Sequence, residues 1–161
     1  MVAAVVLAAG AATRYGAPKQ QRFLQPVLWA LGDAGITDIV VVEGAYPLEA
    51  PGARLVECER WRDGPGASLR CGLAALDADV THALVVLADG PTLDARAVRR
   101  VARSSTDGPV VAATYDGVTR SHPVALAREV WDRVPDEGAR AFEPALVDCS
   151  DLEPPGDVDY Q

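Results

Sequence analysis

The sequence predicts an α/β fold in which helices cover both faces of a mostly parallel sheet. Short apolar runs rich in β-branched residues alternate along the chain with segments of helical spacing. The run over 4–7 is followed by a loop that contains glycine and two basic side chains, and the run over 83–88 is followed directly by Asp89. Ligands of open α/β sheets bind at the carboxyl ends of strands, so both positions are candidate sites. We expect one domain over residues 1–161.

The predicted elements follow one another without repeats or a linker. Strands are expected over 4–7, 37–42, 54–57, 83–88 and 109–114. Helices are expected around 23–31, which stops at 32–35, then around 68–76 and over 94–103. Residues 43–53 contain two prolines and two glycines and are expected to form a loop.

Composition excludes several classes of protein. The formal net charge of -8 argues against nucleic-acid binding, which needs a basic stripe. The apolar amino-terminal run is too short to span a membrane and lacks the basic start of a signal peptide. Cys58, Cys71 and Cys149 form no metal pattern with His82 or His122, and we expect a reducing cytoplasm. Of these, Cys71 lies within a predicted helix, where we expect it in the core.

The loop after the first strand is the most informative stretch. It contains Arg14 and ends with Lys19, the only lysine among 15 basic residues. A lysine supplies a compact charge on a flexible stem, which suits a phosphate; the alternative is a solvated surface lysine. The spacing does not match a Walker loop, because 17–20 lack the hydroxyl for magnesium, and the dinucleotide motif G-x-G-x-x-G is absent.

A second candidate is the start of the helix expected around 68–76. A turn cluster over 63–66 precedes Ser68, which we expect to be the N-cap. A hydroxyl and free amides at a helix start can bind an anion or the edge of a base. The alternative is an ordinary capped amphipathic helix, with Arg70 solvated on its first turn.

Asp89 is the third candidate, because a carboxylate at the end of a central strand can hold a hard cation through oxygen. The alternative is a turn aspartate.

Together these stretches resemble one family. The first loop reads L-A-A-G-x-x-x-R-x-G-x-P-K-Q, and W-x-x-G-x-G-x-S-L-x-x-G-L follows over 61–73. Both are similar to motifs of the MobA/MocA-type nucleotidyltransferases. The resemblance spans nearly the whole chain and implies a Rossmann-like three-layer fold of the nucleotide-diphospho-sugar transferase type. The loop after Lys19 and the segment 43–60 are shorter than is usual in that family.

The resemblance also implies a set of site residues. Arg14 and Lys19 would be catalytic cations that grip a triphosphate, and Asp89 and Asp159 would hold magnesium, with Asp157 as a second choice. The implied nucleotide-binding residues are Leu7, Ala8, Ala9, Gly10, Arg14, Lys19, Gly64 and Ser68. An acidic tail can equally be solvated. Where the family commonly reads D-Q-P, this chain has D-G-P, so a glutamine contact is lost.

Acceptor-site residues are implied by two later segments. S-H-P-V over 121–124 resembles G-H-P-V, and D-E-G-A-R over 136–140 resembles G-D-x-G-A-R. His122 and Arg140 are therefore possible acceptor contacts, although a structural histidine before proline is the favoured interpretation of His122.

The implied reaction is magnesium-dependent transfer of a nucleoside monophosphate, with release of pyrophosphate. L-A-A-G favours CTP over GTP in the resembled family, and the acceptor would be a small phosphorylated molecule of the molybdopterin type. Alternatives are a sugar- or polyol-phosphate nucleotidyltransferase, a non-catalytic NTP-binding regulatory protein and, less favoured, a nicotinamide oxidoreductase. We expect a monomer or weak homo-oligomer that binds neither membrane nor nucleic acid.

Overall fold

A single mixed sheet organises the chain. The computed structural model describes residues 1–9, 19–45 and 47–156, with the backbone alone described for Lys19 and Gln20. The seven strands are β1 (Val2–Leu7), β2 (Ile39–Glu43), β3 (Arg54–Glu57), β4 (His82–Leu87), β5 (Val110–Thr114), β6 (Arg120–Ala127) and β7 (Ala145–Asp148). Their order in the sheet is β3-β2-β1-β4-β6-β5-β7. Only β6 pairs antiparallel to its neighbours among these strands.

In the described part of the chain, three α-helices cover the sheet: α1 (Lys19–Asp33), α2 (Pro65–Ala74) and α3 (Ala95–Arg103). Helices α1 and α3 pack on one face and α2 packs on the other. Short 3-10 helices occupy Trp61–Asp63, Arg128–Arg133 and Ala139–Ala141. The predicted three-layer α/β fold is confirmed. None of the described helices has both the length and the apolar character that crossing a membrane requires.

Successive side chains of each strand point to opposite faces of the sheet, so a hydrophobic core forms on both faces. Val6 faces the α1 and α3 side, whereas its neighbour Val5 faces α2, and both are fully buried. Helix α2 approaches the sheet closely at Gly72, where an added Cβ would lie 2.5 Å from the Val5 side chain and 2.9 Å from that of Val42. This glycine lets the last turn of α2 lie close against β1 and β2.

The local elements match the sequence prediction well. The strand over Arg54–Glu57 has the predicted bounds, and α3 begins one residue later than expected because Asp94 is its N-cap, accepting a hydrogen bond from the Arg96 amide. Strands β6 and β7 were not predicted. Strand β6 follows β5 after a short turn and pairs both with it and with the distant strand β4, whereas β7 pairs with β5 from farther along the chain. The pairings of β6 with β4 and of β7 with β5 join segments far apart in sequence, which no local pattern reveals.

The cysteines correct one expectation. Cys58 and Cys71 form a disulfide with a Cα–Cα distance of 5.9 Å, which ties the end of β3 to α2. Cys71 is therefore a cross-link between two elements, whereas Cys149 is free and buried. Disulfides are rare in cytosolic proteins, so the pairing removes the basis for expecting a reducing compartment.

Candidate functional site

The site forms where three strand ends meet. Strands β1 and β4 are parallel neighbours in register, with Leu7 opposite Leu87, so the residues that follow them lie side by side. Strand β6 runs antiparallel to β4, which places its amino end at the same edge. Ala9, Asp89 and His122 consequently come from distant parts of the sequence to one edge of the sheet.

A cavity of about 620 Å³ opens between the ends of β1 and β4 and the start of α2; we call it the β1–α2 cavity. It brings together five residues predicted to hold nucleotide or metal: Leu7, Ala9, Gly64, Ser68 and Asp89. Its remaining lining residues are Trp61, Arg62, Pro65 and Leu87. The sequence motif over 61–73 thus forms one wall, opposite the strand ends that carry Leu7 and Asp89.

The buried hydroxyl of Ser68 indicates that this cavity binds a ligand. Ser68 is only 4% exposed and lines the cavity, yet its hydroxyl makes no hydrogen bond within the described part of the chain. Buried hydroxyls in proteins are nearly always hydrogen-bonded. The expectation that Ser68 is an N-cap is wrong, because α2 begins three residues earlier, with Gly64 at the N-cap and Pro65 at the first helical position.

The amides at the start of α2 are not available to an anion, which corrects a second expectation. The Gly66 amide donates to the Asp136 carbonyl at 2.8 Å, and the amides of Ala67 and Ser68 donate to the Gly64 carbonyl at 3.1 and 3.4 Å. Pro65 has no N–H. This end of the cavity therefore offers a hydroxyl and side chains, not a nest of free backbone donors.

Asp89 provides the carboxylate in the lining of the cavity. Magnesium in nucleotide sites commonly takes one or two carboxylates together with phosphate oxygens, so the donor present suits a metal that arrives with a triphosphate. Within the described ranges, no three His, Cys, Asp or Glu side chains gather as a complete metal site.

A second cavity of about 420 Å³, the β6 cavity, contains both possible acceptor residues, His122 and Arg140. Its floor is apolar and includes Leu69, Val85 and Val124. The polar groups at its margin are Arg120, Ser121, His122, Glu137 and Arg140. The two cavities share Leu7, Pro65 and Leu87, so molecules bound in them would be neighbours.

His122 is held between the β6 cavity and a third cavity of about 320 Å³. Burial lowers the pKa of its imidazole to about 4, although the Asp89 charge opposes part of that shift, so the ring is neutral near pH 7. The Tyr115 hydroxyl donates to the His122 carbonyl at 2.7 Å, and burial raises the pKa of that phenol. The peptide bond between His122 and Pro123 is cis.

Two arginines hold the loop 134–143 that closes the β6 cavity. Arg70 of α2 donates to the Val134 carbonyl at 2.8 Å and to the Asp136 carboxylate at 2.6 Å, so the alternative of a merely solvated Arg70 is wrong. Arg120 of β6 donates to the carbonyls of Arg140, at 3.2 Å, and Phe142. The β6 cavity therefore depends on contacts between residues far apart in sequence.

The third cavity is closed by the carboxyl-terminal segment. Thr92 binds that segment twice: its hydroxyl donates to the Pro154 carbonyl at 2.6 Å and its amide to the Pro155 carbonyl at 3.0 Å. These bonds bring the chain at Gly156 beside Gly90, next to Asp89.

Some predicted residues fall elsewhere. Gly10, Arg14, Asp157 and Asp159 lie outside the described residues, so their predicted roles stay predictions. Lys19 begins α1, and its side chain is likewise outside the description. The side chain of Ala8 packs in the core on the α1 and α3 face, and its amide donates to the Val42 carbonyl at 3.0 Å.

Sequence reasoning missed Trp61, Arg62, Arg120 and Glu137 as cavity residues. Trp61 opens the motif W-x-x-G and could have been singled out on that ground. Arg62 and Glu137 occupy variable positions of the motifs and Arg120 lies just before one, so only the three-dimensional arrangement brings them to a cavity.

Comparisons with known proteins agree with this geometry. Residues 4–142 match the family described as the MobA-like NTP transferase domain. A search of curated proteins gave no significant match.

Solved structures share the fold at low sequence identity. Rv0371c from Mycobacterium tuberculosis H37Rv superposes with a TM-score of 0.84 at 24% identity, over 99% of this chain and 93% of that one. A complex of Rv0371c with manganese gives 0.71 at 21% identity, over 91% and 87%. A nucleotidyl transferase from Methanothermobacter thermautotrophicus gives 0.75 at 18%, over 99% and 92%. The 2-C-methyl-D-erythritol 4-phosphate cytidylyltransferase from Thermus thermophilus gives 0.66 at 19%, over 92% and 89%.

Proposed function

Because the chain belongs to the MobA-like NTP transferase family, we propose that it moves CMP from CTP onto a small phosphorylated acceptor and releases pyrophosphate. Membership makes the protein a nucleotidyltransferase. The nucleotide, the metal and the acceptor are the parts that we infer. A cytidylyltransferase among the proteins of the same fold supports CTP as the first nucleotide to test.

The observation that carries the proposal is the Ser68 hydroxyl, buried and without a described protein partner in the cavity that also holds Asp89. A hydrogen-bonding group of the nucleoside would satisfy the hydroxyl, since a buried polar group left unpaired costs about 1–3 kcal/mol. The triphosphate would lie toward Asp89 and the loop with Arg14 and Lys19. One nucleotide then spans the cavity from Ser68 to Asp89.

In this arrangement the acceptor sits in the β6 cavity. An acceptor phosphate oxygen attacks the α-phosphorus, a new P–O bond forms, and the bond from the α-phosphorus to the bridging oxygen breaks as pyrophosphate leaves. Arg14 and Lys19 would offset the charge on the leaving pyrophosphate. His122, neutral near pH 7, and Arg140 would orient the acceptor, because both line its cavity.

A divalent cation completes the proposed site. Asp89 would hold magnesium, with Asp159 as the second carboxylate, and the ion would supply charge neutralisation for the phosphates. The manganese complex of Rv0371c supports testing manganese beside magnesium.

The first experiment is a thermal-shift panel of CTP, GTP, ATP and UTP with magnesium, followed by pyrophosphate release with a molybdopterin-type pterin phosphate and with sugar phosphates. We expect CTP to raise Tm most and one acceptor to trigger pyrophosphate release. If no nucleoside triphosphate raises Tm, the proposal fails. Pyrophosphate release with sugar phosphates alone would replace the acceptor that we favour.

A matched pair of serine variants ties the result to the cavity. Ser68→Ala should weaken CTP binding by about 5- to 10-fold, the scale of one hydrogen bond. Ser105 is equally buried, at 5% exposed, but does not line the cavity, so Ser105→Ala should leave CTP binding unchanged.

A further inference from the structure

Trp61 and Arg62 form a cation–π pair on the wall of the β1–α2 cavity. The Arg62 guanidinium lies 4.8 Å from the centroid of the Trp61 ring, and both residues line the cavity. The ring itself is firmly seated, because Gly44 leaves room for it: a Cβ on Gly44 would lie 2.6 Å from Trp61 Cγ. The indole therefore acts as a fixed backing for the guanidinium.

Arg62 is not engaged by a carboxylate in the described part of the chain. Its neighbour Asp63 pairs with Arg60 at 2.8 Å, which leaves the contact with Trp61 as the interaction that holds Arg62. A planar guanidinium that lies on an aromatic ring presents its second face outward. Because Arg62 is exposed and lines the cavity, that face can meet another planar group there.

The position of the pair indicates which part of a nucleotide it meets. Asp89 marks the phosphate end of the cavity, because metal and phosphates bind together. Trp61 and Arg62 instead belong to the wall formed with Gly64 and Ser68, where the α2 amides are already hydrogen-bonded within the protein. A wall without free backbone donors suits an uncharged, planar base better than a polyanion.

We propose that the nucleobase stacks on the outer face of the Arg62 guanidinium, with Trp61 behind it. Arg62 is then a binding residue for the base and not a phosphate contact. The inference rests on the proposed function and deepens it. Stacking on a flat surface tolerates different bases, so this pair supplies affinity, and discrimination between bases must come from other contacts.

The test separates planarity from charge. Arg62→Lys keeps the positive charge and removes the plane, and Arg62→Met removes both. We expect each variant to weaken CMP, CDP and CTP by the same factor of roughly 10 in calorimetric titration. Arg60→Lys and Arg60→Met are the matched controls, because Arg60 is exposed, lies two residues away and does not line the cavity; they should bind like wild type.

Fluorescence provides an independent readout. The chain has three tryptophans, of which Trp61 lines the cavity and Trp29 is 65% exposed on α1. Bound CMP should quench the emission of wild type and of Trp29→Phe to the same extent. The quenching should be lost in Trp61→Phe.

Three outcomes would overturn the inference. Wild-type affinity in Arg62→Lys would show that charge is what matters, and a loss that grows from CMP to CTP would make Arg62 a phosphate contact. Quenching that persists in Trp61→Phe would place the base elsewhere. If wild type binds none of the nucleotides, the proposed function itself fails, which is a different result from binding that Arg62 does not affect.

Discussion

The two cavities share Leu7, Pro65 and Leu87 but are built in different ways. The β1–α2 cavity is formed by chain segments that directly follow β1 and β4 or begin α2, so its shape comes from the sheet and from close backbone approach. The β6 cavity is closed by the loop 134–143, which is held by side chains from α2 and β6 and by the hydrogen bond from the Gly66 amide to the Asp136 carbonyl. The shape of the β1–α2 cavity follows from the sheet itself, whereas the shape of the β6 cavity depends on a few additional contacts with the loop 134–143.

Those added contacts are individually weak. The side chains of Arg70 and Asp136 are 39% and 66% exposed, and exposed ion pairs contribute about 0–1 kcal/mol. The difference between the cavities indicates that the β6 cavity can change with little effect on the β1–α2 cavity. This separation would let one fold keep its nucleotide site while acceptors differ.

The largest expected effect tests whether the β1–α2 cavity holds the metal. Asp89→Asn should lower turnover by about 10³-fold and weaken magnesium dependence, because a neutral amide is a poor ligand for a hard cation. The measurement is pyrophosphate release against magnesium concentration. Asp107→Asn, at an exposed turn after α3, is the control and should behave as wild type. A magnesium titration of Asp89→Asn that matches wild type would make Asp89 a turn residue only.

The next prediction tests the contact between Gly66 of α2 and Pro135 of the loop 134–143. A Cβ on Gly66 would lie 1.6 Å from the Pro135 carbonyl oxygen, so Gly66→Ala must displace the loop 134–143. We expect the free energy of unfolding in urea to fall by about 3 kcal/mol, at the upper end of overpacking effects. Gly32→Ala is the control, because nothing lies within 4 Å of its Cβ position on α1, and it should be neutral or slightly stabilising. Equal stability of both variants would show that the loop yields freely.

The same contrast explains what could be predicted from the sequence. The strand over 54–57, α3 and the placement of Asp89 follow from local periodicity, and the structure contains them. The disulfide between Cys58 and Cys71 and strand β7 depend on contacts in space, which spacing alone does not reveal. The N-cap of α2 was misplaced because a serine before an apolar run is a strong local signal, yet the turn at Gly64 and the helix-starting Pro65 begin the helix earlier.

A smaller effect concerns pH and the β6 cavity. Burial lowers the pKa of His122 to about 4 from 6.5, so the unfolded chain takes up a proton first as the pH falls below 6.5. Between pH 6.5 and 4 the free energy of unfolding should therefore decrease, by at most about 1.4 kcal/mol per pH unit from this group. Denaturation curves of wild type and His122→Asn isolate the contribution, because carboxyl titrations are common to both. Parallel pH profiles would show that the imidazole is solvated.

The smallest expected effect concerns Ala9 in the β1–α2 cavity and the choice between a pyrimidine and a purine nucleotide. Ala9 lines the β1–α2 cavity, is 5% exposed, and its carbonyl accepts from the Ala45 amide at 3.3 Å, so its methyl group occupies a fixed place. That methyl fills space which a purine would need, whereas glycine would let a larger base approach the backbone. One methyl group in a pocket changes selectivity by about 1–3 kcal/mol, or 10- to 200-fold, and we expect the lower end because the cavity is wide.

Wild type should accordingly prefer CTP over GTP by about 10-fold in kcat/KM, and Ala9→Gly should bring the two nucleotides close together without abolishing use of CTP. The experiment measures kcat/KM for CTP, GTP and ATP on both proteins. Ala8→Gly is the matched control: Ala8 is the adjacent alanine, and its side chain packs in the core on the opposite face of the sheet. A preference for GTP or ATP in wild type would overturn the assignment of CTP and leave the transferase chemistry standing. A shift as large in Ala8→Gly as in Ala9→Gly would mean that loop flexibility, and not the space beside the base, sets the preference.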